Sequence, residues 1–129
     1  MTGGYRVFIK YLKRRLQPSL RVAALFLAAA LVLGLFVGGA QPIAVGLVPS
    51  PWDKLVHAAV FALMAGAIDY ASGLRGKRMV LLSFCCAVML GALDELHQIY
   101  LPGRSADLGD LAADALGAAL GSVTLLRRR

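Results

Sequence analysis

The segment 94–114, DELHQIYLPGRSADLGDLAAD, determines how the rest of the chain must fold. It holds five of the seven carboxylates of the 129-residue chain, yet the segments on either side, 80–93 and 115–126, are apolar. Soluble helices spread their charges along one face, whereas these charges gather where two apolar segments meet. Ionisable groups in spanning helices are costly and usually functional. The segment therefore predicts a polar site at a membrane boundary.

The composition indicates an all-α membrane protein. Apolar residues make up 59% of the chain, and its mean hydropathy is +0.71; soluble domains are about 45–50% apolar. A spanning helix needs ~20 mostly apolar residues, and four stretches meet this need: 22–40, 55–71, 79–97 and 108–126. We therefore predict a membrane-embedded four-helix bundle over residues 22–126. A basic segment, 1–21, precedes it and a basic tail, 127–129, follows it.

The basic residues predict the orientation of this bundle. The formal net charge is +7, and 12 of the 14 basic residues lie before the first span, between the second and third, or at the end of the chain. Four alternating spans place these segments on one side, which the positive-inside rule assigns to the cytoplasm. We predict a multi-pass plasma (inner) membrane protein with both termini cytoplasmic. The basic flanks then indicate topology and contact with anionic membrane lipids, and we expect no nucleic acid partner.

The basic segment 1–21 has two interpretations that the sequence leaves open. Its interleaved apolar residues fit a short helix that lies in the membrane interface, and a solvated basic tail fits equally well. The segment and the following apolar run also resemble a signal peptide. However, the run exceeds the ~7–15 residues of a signal peptide's apolar core, so we predict an uncleaved first span.

Two stripes of small residues predict close helix packing. Gly34 and Gly38 are four residues apart in the first span, and Ala113, Gly117 and Gly121 recur every four residues in the fourth. Side chains this small allow two helix backbones to approach closely.

Two helix starts are also predicted. Ser50 suits the N-cap of the second span, with Pro51 at the first helical position and Asp53 in the first turn. Asp107 suits the N-cap of the fourth span. Asp53 and Asp107 therefore have a purely structural interpretation beside a functional one.

The four-span topology brings three helix ends together in one polar pocket on the outer side. His57 and Glu95 are the candidate catalytic residues, as acid and base. The candidate ligand-binding residues are Asp53, Lys54, Gln98, Arg104, Asp107, Asp110 and Asp114.

Helical spacing pairs some of these residues with each other. Glu95 and Gln98 are three positions apart, so we expect them to share a helix face. A charge that faces lipid near mid-bilayer costs ~2.5–3.5 kcal/mol on insertion scales. Asp114 should therefore face the bundle, either protonated or paired with His57 or Arg104. A buried network that only joins the helices is the structural alternative.

Two segments carry a resemblance to a known family. DKLVH at 53–57 and DELHQIYLPGRSADLGDLAADALGAALG at 94–121 resemble the VanZ-like family of small bacterial membrane proteins. The founding member of that family is associated with low-level teicoplanin resistance, so the resemblance implies a connection with the cell envelope but no reaction. At Asp114 the family pattern more often has asparagine, which adds a titrating group here. The positions that match the pattern are Asp53, Lys54, His57, Glu95, Gln98, Arg104, Asp107, Asp110, Gly117 and Gly121.

Three functions remain open at this point, with binding slightly favoured over catalysis. In the first, the pocket binds the headgroup of a lipid or a lipid-linked cell-wall precursor, and Arg104 and Lys54 meet its anionic groups. In the second, the protein is an enzyme that acts on a lipid headgroup. In the third, it is a small scaffold, and the stripe of Ala113, Gly117 and Gly121 joins protomers of a homo-oligomer.

The enzyme hypothesis has two versions. His57 and Glu95 act as acid and base, or a divalent metal is held by Glu95, His57, Asp107 and Asp110, since mixed imidazole and carboxylate ligands suit zinc or manganese. No recognised metal spacing such as HExxH is present, so the sequence predicts no metal and no cofactor.

Overall fold

The computed structural model describes residues 3–126, and within this range the protein is all-α. The predicted tail 127–129 lies outside the described residues. The four long helices are α1 (Gly3–Leu33), α2 (Trp52–Ser72), α3 (Lys77–Gln98) and α4 (Leu108–Leu126). A π-helical turn, Gly34–Gly38, continues α1, and a short 3₁₀ turn, Pro42–Ala44, lies in the α1–α2 connection. The all-α, four-helix fold is therefore confirmed.

Three helical stretches in the described part of the chain are long and apolar enough to cross a membrane. They are Gly4–Gly38, Trp52–Ser72 and Lys77–Gln98. These stretches indicate a multi-pass membrane protein. Helix α4 has the bounds predicted for a fourth span, but it is not one of the three. Its crossing of the membrane, and the side that each terminus faces, stay predictions.

The basic N-terminal segment is part of α1. The helix runs without a break from Gly3 to Leu33, and Pro18 lies inside it. Proline removes one backbone donor, yet the helix continues on both sides of it. Residues 3–21 are therefore helical rather than an irregular tail, and they are continuous with the first apolar stretch rather than a separate short helix.

Helix α2 lies at the centre of the bundle. It packs against α1, α3 and α4, and it supplies three of the five side chains that form the buried apolar core. The core consists of Phe61, Met64 and Ala65 from α2, Ala87 from α3 and Ala118 from α4. Small residues at the facing positions let the neighbouring helices approach the large side chains of α2.

The small stripe of α4 packs against α2 of the same chain. A Cβ on Gly117 would collide with the carbonyl oxygen of Ala58, and one on Gly121 with that of Ala62. Ala113, in the same stripe, is also buried. The predicted close packing is thus confirmed, and α2 of the same chain covers this face; a homo-oligomer formed through it stays a prediction.

The glycine pair of the first span has the opposite environment. A Cβ at Gly34 or Gly38 would meet no atom within 4 Å. The prediction of a close helix contact at these two positions is therefore wrong. The chain forms the π-helical turn here, and no neighbouring helix packs against either glycine, so the backbone leaves open space beside them.

The predicted cap of α2 is also wrong. The helix begins at Trp52, Pro51 occupies the cap position after a cis Ser50–Pro51 peptide bond, and no side chain caps the helix. The carbonyl oxygen of Pro49 accepts hydrogen bonds from the N–H groups of Trp52 and Asp53, at 3.0 and 3.4 Å. A backbone acceptor thus satisfies the donors that the Ser50 hydroxyl was expected to meet.

We predict that Gly117→Ala destabilises the bundle by about 1–3 kcal/mol, the usual cost of overpacking. The added methyl group overlaps the Ala58 carbonyl unless α2 and α4 separate. Elsewhere in a helix the same change stabilises by roughly 0.5–1 kcal/mol. Thermal unfolding of the purified protein in detergent measures the difference.

The matched control is Gly38→Ala, whose methyl group meets open space. It should unfold at the temperature of the unmodified protein or slightly above. Equal losses at both positions would contradict the close α2–α4 packing.

Candidate functional site

The α1–α2 and α3–α4 connections, residues 39–51 and 99–107, lie at the same end of the bundle. Nη2 of Arg104 donates a hydrogen bond to the carbonyl oxygen of Gly39 at 2.9 Å. A Cβ on Gly103 would lie 3.5 Å from Cγ1 of Val45. We call this the loop end of the bundle. The two connections therefore meet, as the sequence predicted.

A lysine and three carboxylates join the first turns of α2 and α4 at the loop end. Nζ of Lys54 lies 2.7 Å from Oδ2 of Asp107, 2.9 Å from Oδ1 of Asp110 and 3.8 Å from Oδ2 of Asp53. Asp107 also caps α4, since its Oδ1 accepts the N–H of Gly109 at 2.7 Å. We call these four ionic residues the Lys54 cluster. The cap predicted at Asp107 is confirmed, and the single ammonium group of Lys54 is shared among three carboxylates.

Glu95 joins the end of α3 to the start of α4. Its Oε2 accepts a hydrogen bond from the backbone N–H of Asp107. The residue is only 7% exposed, and its Oε1 is buried without a hydrogen-bond partner among the described residues. Glu95 thus holds the α3–α4 connection.

His57, which is partly buried, and Asp114 form a pair between α2 and α4. Nδ1 of His57 lies 2.9 Å from Oδ1 of Asp114, whose side chain is fully buried. Gly91 of α3 makes room for this carboxylate, because a Cβ there would lie 2.7 Å from Oδ2 of Asp114. On the other side of the ring, Nε2 of His57 lies 4.0 Å from Oδ2 of Asp110. Asp114 therefore faces the bundle and pairs with His57, one of its two expected partners.

A cavity of about 280 Å³ lies beside this pair. It is bounded by α1 with its π-helical turn, by α2, by α3 and by the α3–α4 connection. Its polar lining residues are His57, Asp94, Gln98 and Arg104. Its other lining residues are Ala30, Leu31, Gly34, Leu35, Gly39, Val60 and Leu101. The cavity thus combines four polar side chains with an apolar wall.

Hydrogen bonds hold the polar side chains of the cavity in place and leave one N–H donor, that of Arg104 Nε, without a partner in residues 3–126. Nε2 of Gln98 donates to Oδ2 of Asp94 at 2.8 Å, and both residues are almost fully buried. Arg104 is anchored through Gly39, while its Nε is buried with no partner among the described residues. Glu95 and Gln98, which were expected to share a helix face, are both buried and have different hydrogen-bond partners. Asp94, which the sequence interpretation did not select, is the partner of Gln98 through its i,i+4 spacing.

In place of the single pocket predicted from the sequence, the structure has a cavity and, next to it, a separate cluster of ion pairs. Gln98, Arg104 and His57 line the cavity, whereas Asp53, Lys54, Asp107 and Asp110 bind one another in the Lys54 cluster. The last two predicted residues, Glu95 and Asp114, lie behind these groups and support them.

The family comparison agrees with this geometry. The VanZ/LLP1 family profile matches residues 5–128. The chain belongs to the VanZ/LLP1 family. The resemblance in residues 53–121 is thus confirmed and extends over nearly the whole chain. No curated protein and no solved structure matches the chain.

The geometry of this VanZ/LLP1 protein does not favour the metal version of the enzyme hypothesis. In residues 3–126, no three His, Cys, Asp or Glu side chains are placed to hold a metal ion together. The ammonium group of Lys54 already lies between Asp107 and Asp110, and Glu95 accepts a backbone N–H. A protein cation and a backbone donor thus occupy the carboxylates that a metal would need.

The Lys54 cluster lowers the pKa of Asp107. The hydrogen bond from Nζ of Lys54 is the main cause, and the N–H of Gly109 adds to it. A carboxylate whose folded-state pKa is lowered stabilises the fold above its unfolded pKa, and the contribution is lost as the pH falls through the folded pKa. Its ordinary pKa is 3.8, so this stabilisation should persist through the neutral range.

We predict that Lys54→Met lowers the unfolding temperature, because Asp107 and Asp110 lose the cation between them. Lys77→Met, at an exposed lysine with no ion pair among the described residues, is the control and should have no such effect. The deficit of Lys54→Met should be constant from about pH 7 to pH 5 and shrink below pH 3.8, as Asp107 is protonated. A deficit that does not change in acid would mean that charge is not its cause.

Proposed function

We propose that this protein binds the anionic headgroup of a membrane lipid, or of a lipid-linked cell-envelope precursor, in the cavity at the loop end. One observation carries the proposal: the 280 Å³ cavity is lined by a guanidinium, a carboxylate and an amide together with leucine and valine side chains. Such a lining suits a molecule that is polar at one end and apolar at the other. An envelope precursor as ligand also agrees with the association of the family's founding member with teicoplanin resistance.

Arg104 is the residue best placed to meet an anionic group. Its Nε–H is buried with no partner among the described residues, and an unsatisfied buried donor costs ~1–3 kcal/mol. A phosphate or carboxylate oxygen at this position would remove that cost and form a charge-assisted hydrogen bond. Asp94 and Gln98, across the cavity, are suited to hydroxyl or ammonium groups of the same ligand.

The apolar wall favours a lipid over a water-soluble ligand. Leu31 and Leu35 come from α1 and Val60 from α2, and both helices belong to stretches that can cross a membrane. Ligand cavities usually measure about 300–1,000 Å³, so this one is small. It suits a phosphate and the few atoms attached to it, and the remainder of a larger precursor would lie outside.

Binding to purified protein tests the proposal. Native mass spectrometry should detect retained phosphatidylglycerol or undecaprenyl phosphate on the unmodified protein, with phosphatidylcholine retained less. Arg104→Gln should weaken this retention about tenfold or more, since a hydrogen bond to a charged group contributes ~1.5–3 kcal/mol. A lipid II analogue tests the precursor, and Glu95→Gln, outside the cavity lining, should bind nearly as well as the unmodified protein.

Two matched pairs of variants serve as controls. Gly34→Leu should fill the cavity and reduce binding, whereas Gly38→Leu should not, because Gly34 lines the cavity and Gly38 does not. Lys77→Gln removes the same charge as Arg104→Gln at the opposite end of α3 and should leave binding unchanged. Equal binding by the unmodified protein, Arg104→Gln and Gly34→Leu would refute the proposal.

A second candidate function is acid–base chemistry on the bound headgroup. The observation that favours it is the buried Asp114, which lies 2.9 Å from Nδ1 of His57 and orients a ring that lines the cavity. A base held by a third group is a recurring arrangement at catalytic sites. Glu95 is not part of this version, because it does not line the cavity. Turnover of the lipid during the binding assay, abolished in His57→Gln, would establish catalysis; an unchanged lipid mass would leave binding alone.

The proposal also places the loop end at the outer leaflet, as the positive-inside rule predicts. Single cysteines at Ile43 and Tyr100, which are 79% and 83% exposed at the loop end, test this in a background without Cys85 and Cys86. A membrane-impermeant maleimide should label both in intact cells, and a cysteine at Lys77 only after lysis. The reverse pattern would move the cavity to the inner leaflet.

A further inference from the structure

Five cations form a groove at the end of the bundle opposite the loop end. Lys10, Lys13, Arg14 and Arg21 come from α1, and Arg75 comes from the α2–α3 connection. They line a depression of about 610 Å³ together with Gln17 and Pro18. We call it the basic groove. The groove is therefore built from one continuous stretch of α1 and from the α2–α3 connection, which is distant from it in sequence.

The contact between Arg21 and Gly73 shapes the inner end of the basic groove. Gly73 ends α2 with φ +66°, and a Cβ there would lie 2.7–2.9 Å from the guanidinium atoms of Arg21. The guanidinium of Arg21 thus lies against bare backbone. A second depression of about 130 Å³, lined by Arg21, Gly73, Arg75, Gln17 and Tyr70, lies at this point. Arg21 and Arg75 therefore line a common, sharply defined recess.

The charged residues that line the groove are all positive. No carboxylate is among its lining residues, and none of its five cations forms an ion pair of 4.0 Å or less with Asp53, Asp107, Asp110 or Asp114 at the loop end. The lining of the groove thus carries an excess of positive charge that suits an anionic ligand.

An apolar depression extends from the same arginine into the bundle. It measures about 420 Å³ and follows the seam between α1 and α2. Arg21 lies at its mouth, and its other lining residues are Val22, Leu25, Ala28, Ile68, Ala71 and Ser72. Both helices belong to stretches that can span a membrane. Arg21 thus lines both a cationic recess and an apolar depression between two helices that are able to span a membrane.

We propose that this protein has a second lipid site, in which the phosphate of an anionic phospholipid binds Arg21 and Arg75 and an acyl chain lies between α1 and α2. Arginine matches phosphate oxygens through paired N–H groups. Basic pockets between spanning helices are suited to anionic headgroups. The adjoining apolar seam is what selects a lipid over a soluble phosphate compound. The site shares no lining residue with the cavity at the loop end, so it does not depend on the function proposed there.

Native mass spectrometry of the full chain in nanodiscs of phosphatidylcholine with added phosphatidylglycerol tests the site. The double variant Arg21→Gln, Arg75→Gln should weaken phosphatidylglycerol retention about tenfold or more. The matched control, Lys77→Gln, Arg78→Gln, removes the same charge from the start of α3, outside the groove. It should stay within about twofold of the unmodified protein. Equal losses in the two double variants would mean diffuse attraction without a site and would overturn the proposal.

Further measurements distinguish binding of a lipid from binding of free phosphate, and binding at this site from binding at the loop end. Ala28→Phe, which narrows the apolar seam, should reduce retention of phosphatidylglycerol without removing any charge. Inorganic phosphate at millimolar concentration should not displace the lipid; displacement, together with no effect of Ala28→Phe, would leave a phosphate site and refute the lipid. The two sites are separated by counting the bound phosphatidylglycerol molecules: Arg104→Gln should remove only the one at the loop end, and Arg21→Gln, Arg75→Gln only the one at the basic groove. Either site can therefore fail without the other.

Discussion

The cost of placing a carboxylate next to lipid is the constraint on which the structure depends. Five of the seven carboxylates lie between two apolar segments, so each must face the protein or water. Lys54 supplies a cation for Asp107 and Asp110, and His57 supplies a ring nitrogen for Asp114. These bonds run from α2 to α4. Satisfying the charges therefore also fixes how the two helices are paired, and the cavity forms beside the pair.

The sequence predicts most of the fold because a helix that crosses a membrane needs a long, mostly apolar stretch, which can be read directly from the residues. The bounds predicted for α4 are those observed, and α3 differs by only two residues at its start and one at its end. The pairing of Asp114 with His57 follows from the same cost argument. The pairing at the end of α3 does not, because Asp94, Glu95 and Gln98 all lie within one helical turn. Both spacings are available within the helix, and Gln98 bonds to Asp94 while Glu95 bonds to the backbone N–H of Asp107.

The two glycine stripes show the limit of a local pattern. Gly117 and Gly121 contact the backbone of α2, whereas Gly34 and Gly38, at the same spacing, contact nothing. The sequence specifies that these positions are small, but only the course of the neighbouring helix determines whether the space is filled or left open. In this protein both outcomes serve the site: the first brings the carboxylates of α4 to α2, and the second leaves a cavity beside His57.

The unbroken course of α1 connects the two ends of the molecule with a fixed length. Arg21, which lines the basic groove, and Gly39, which lines the cavity, are connected by α1 and its π-helical turn, a separation of at most about 27 Å at the α-helical rise. The hydrocarbon layer of a bilayer is ~30 Å thick. If both proposed lipid sites exist, we expect them near the two opposite surfaces of that layer. The thickness of the bilayer, and hence the length of its acyl chains, would then decide whether both sites are occupied together.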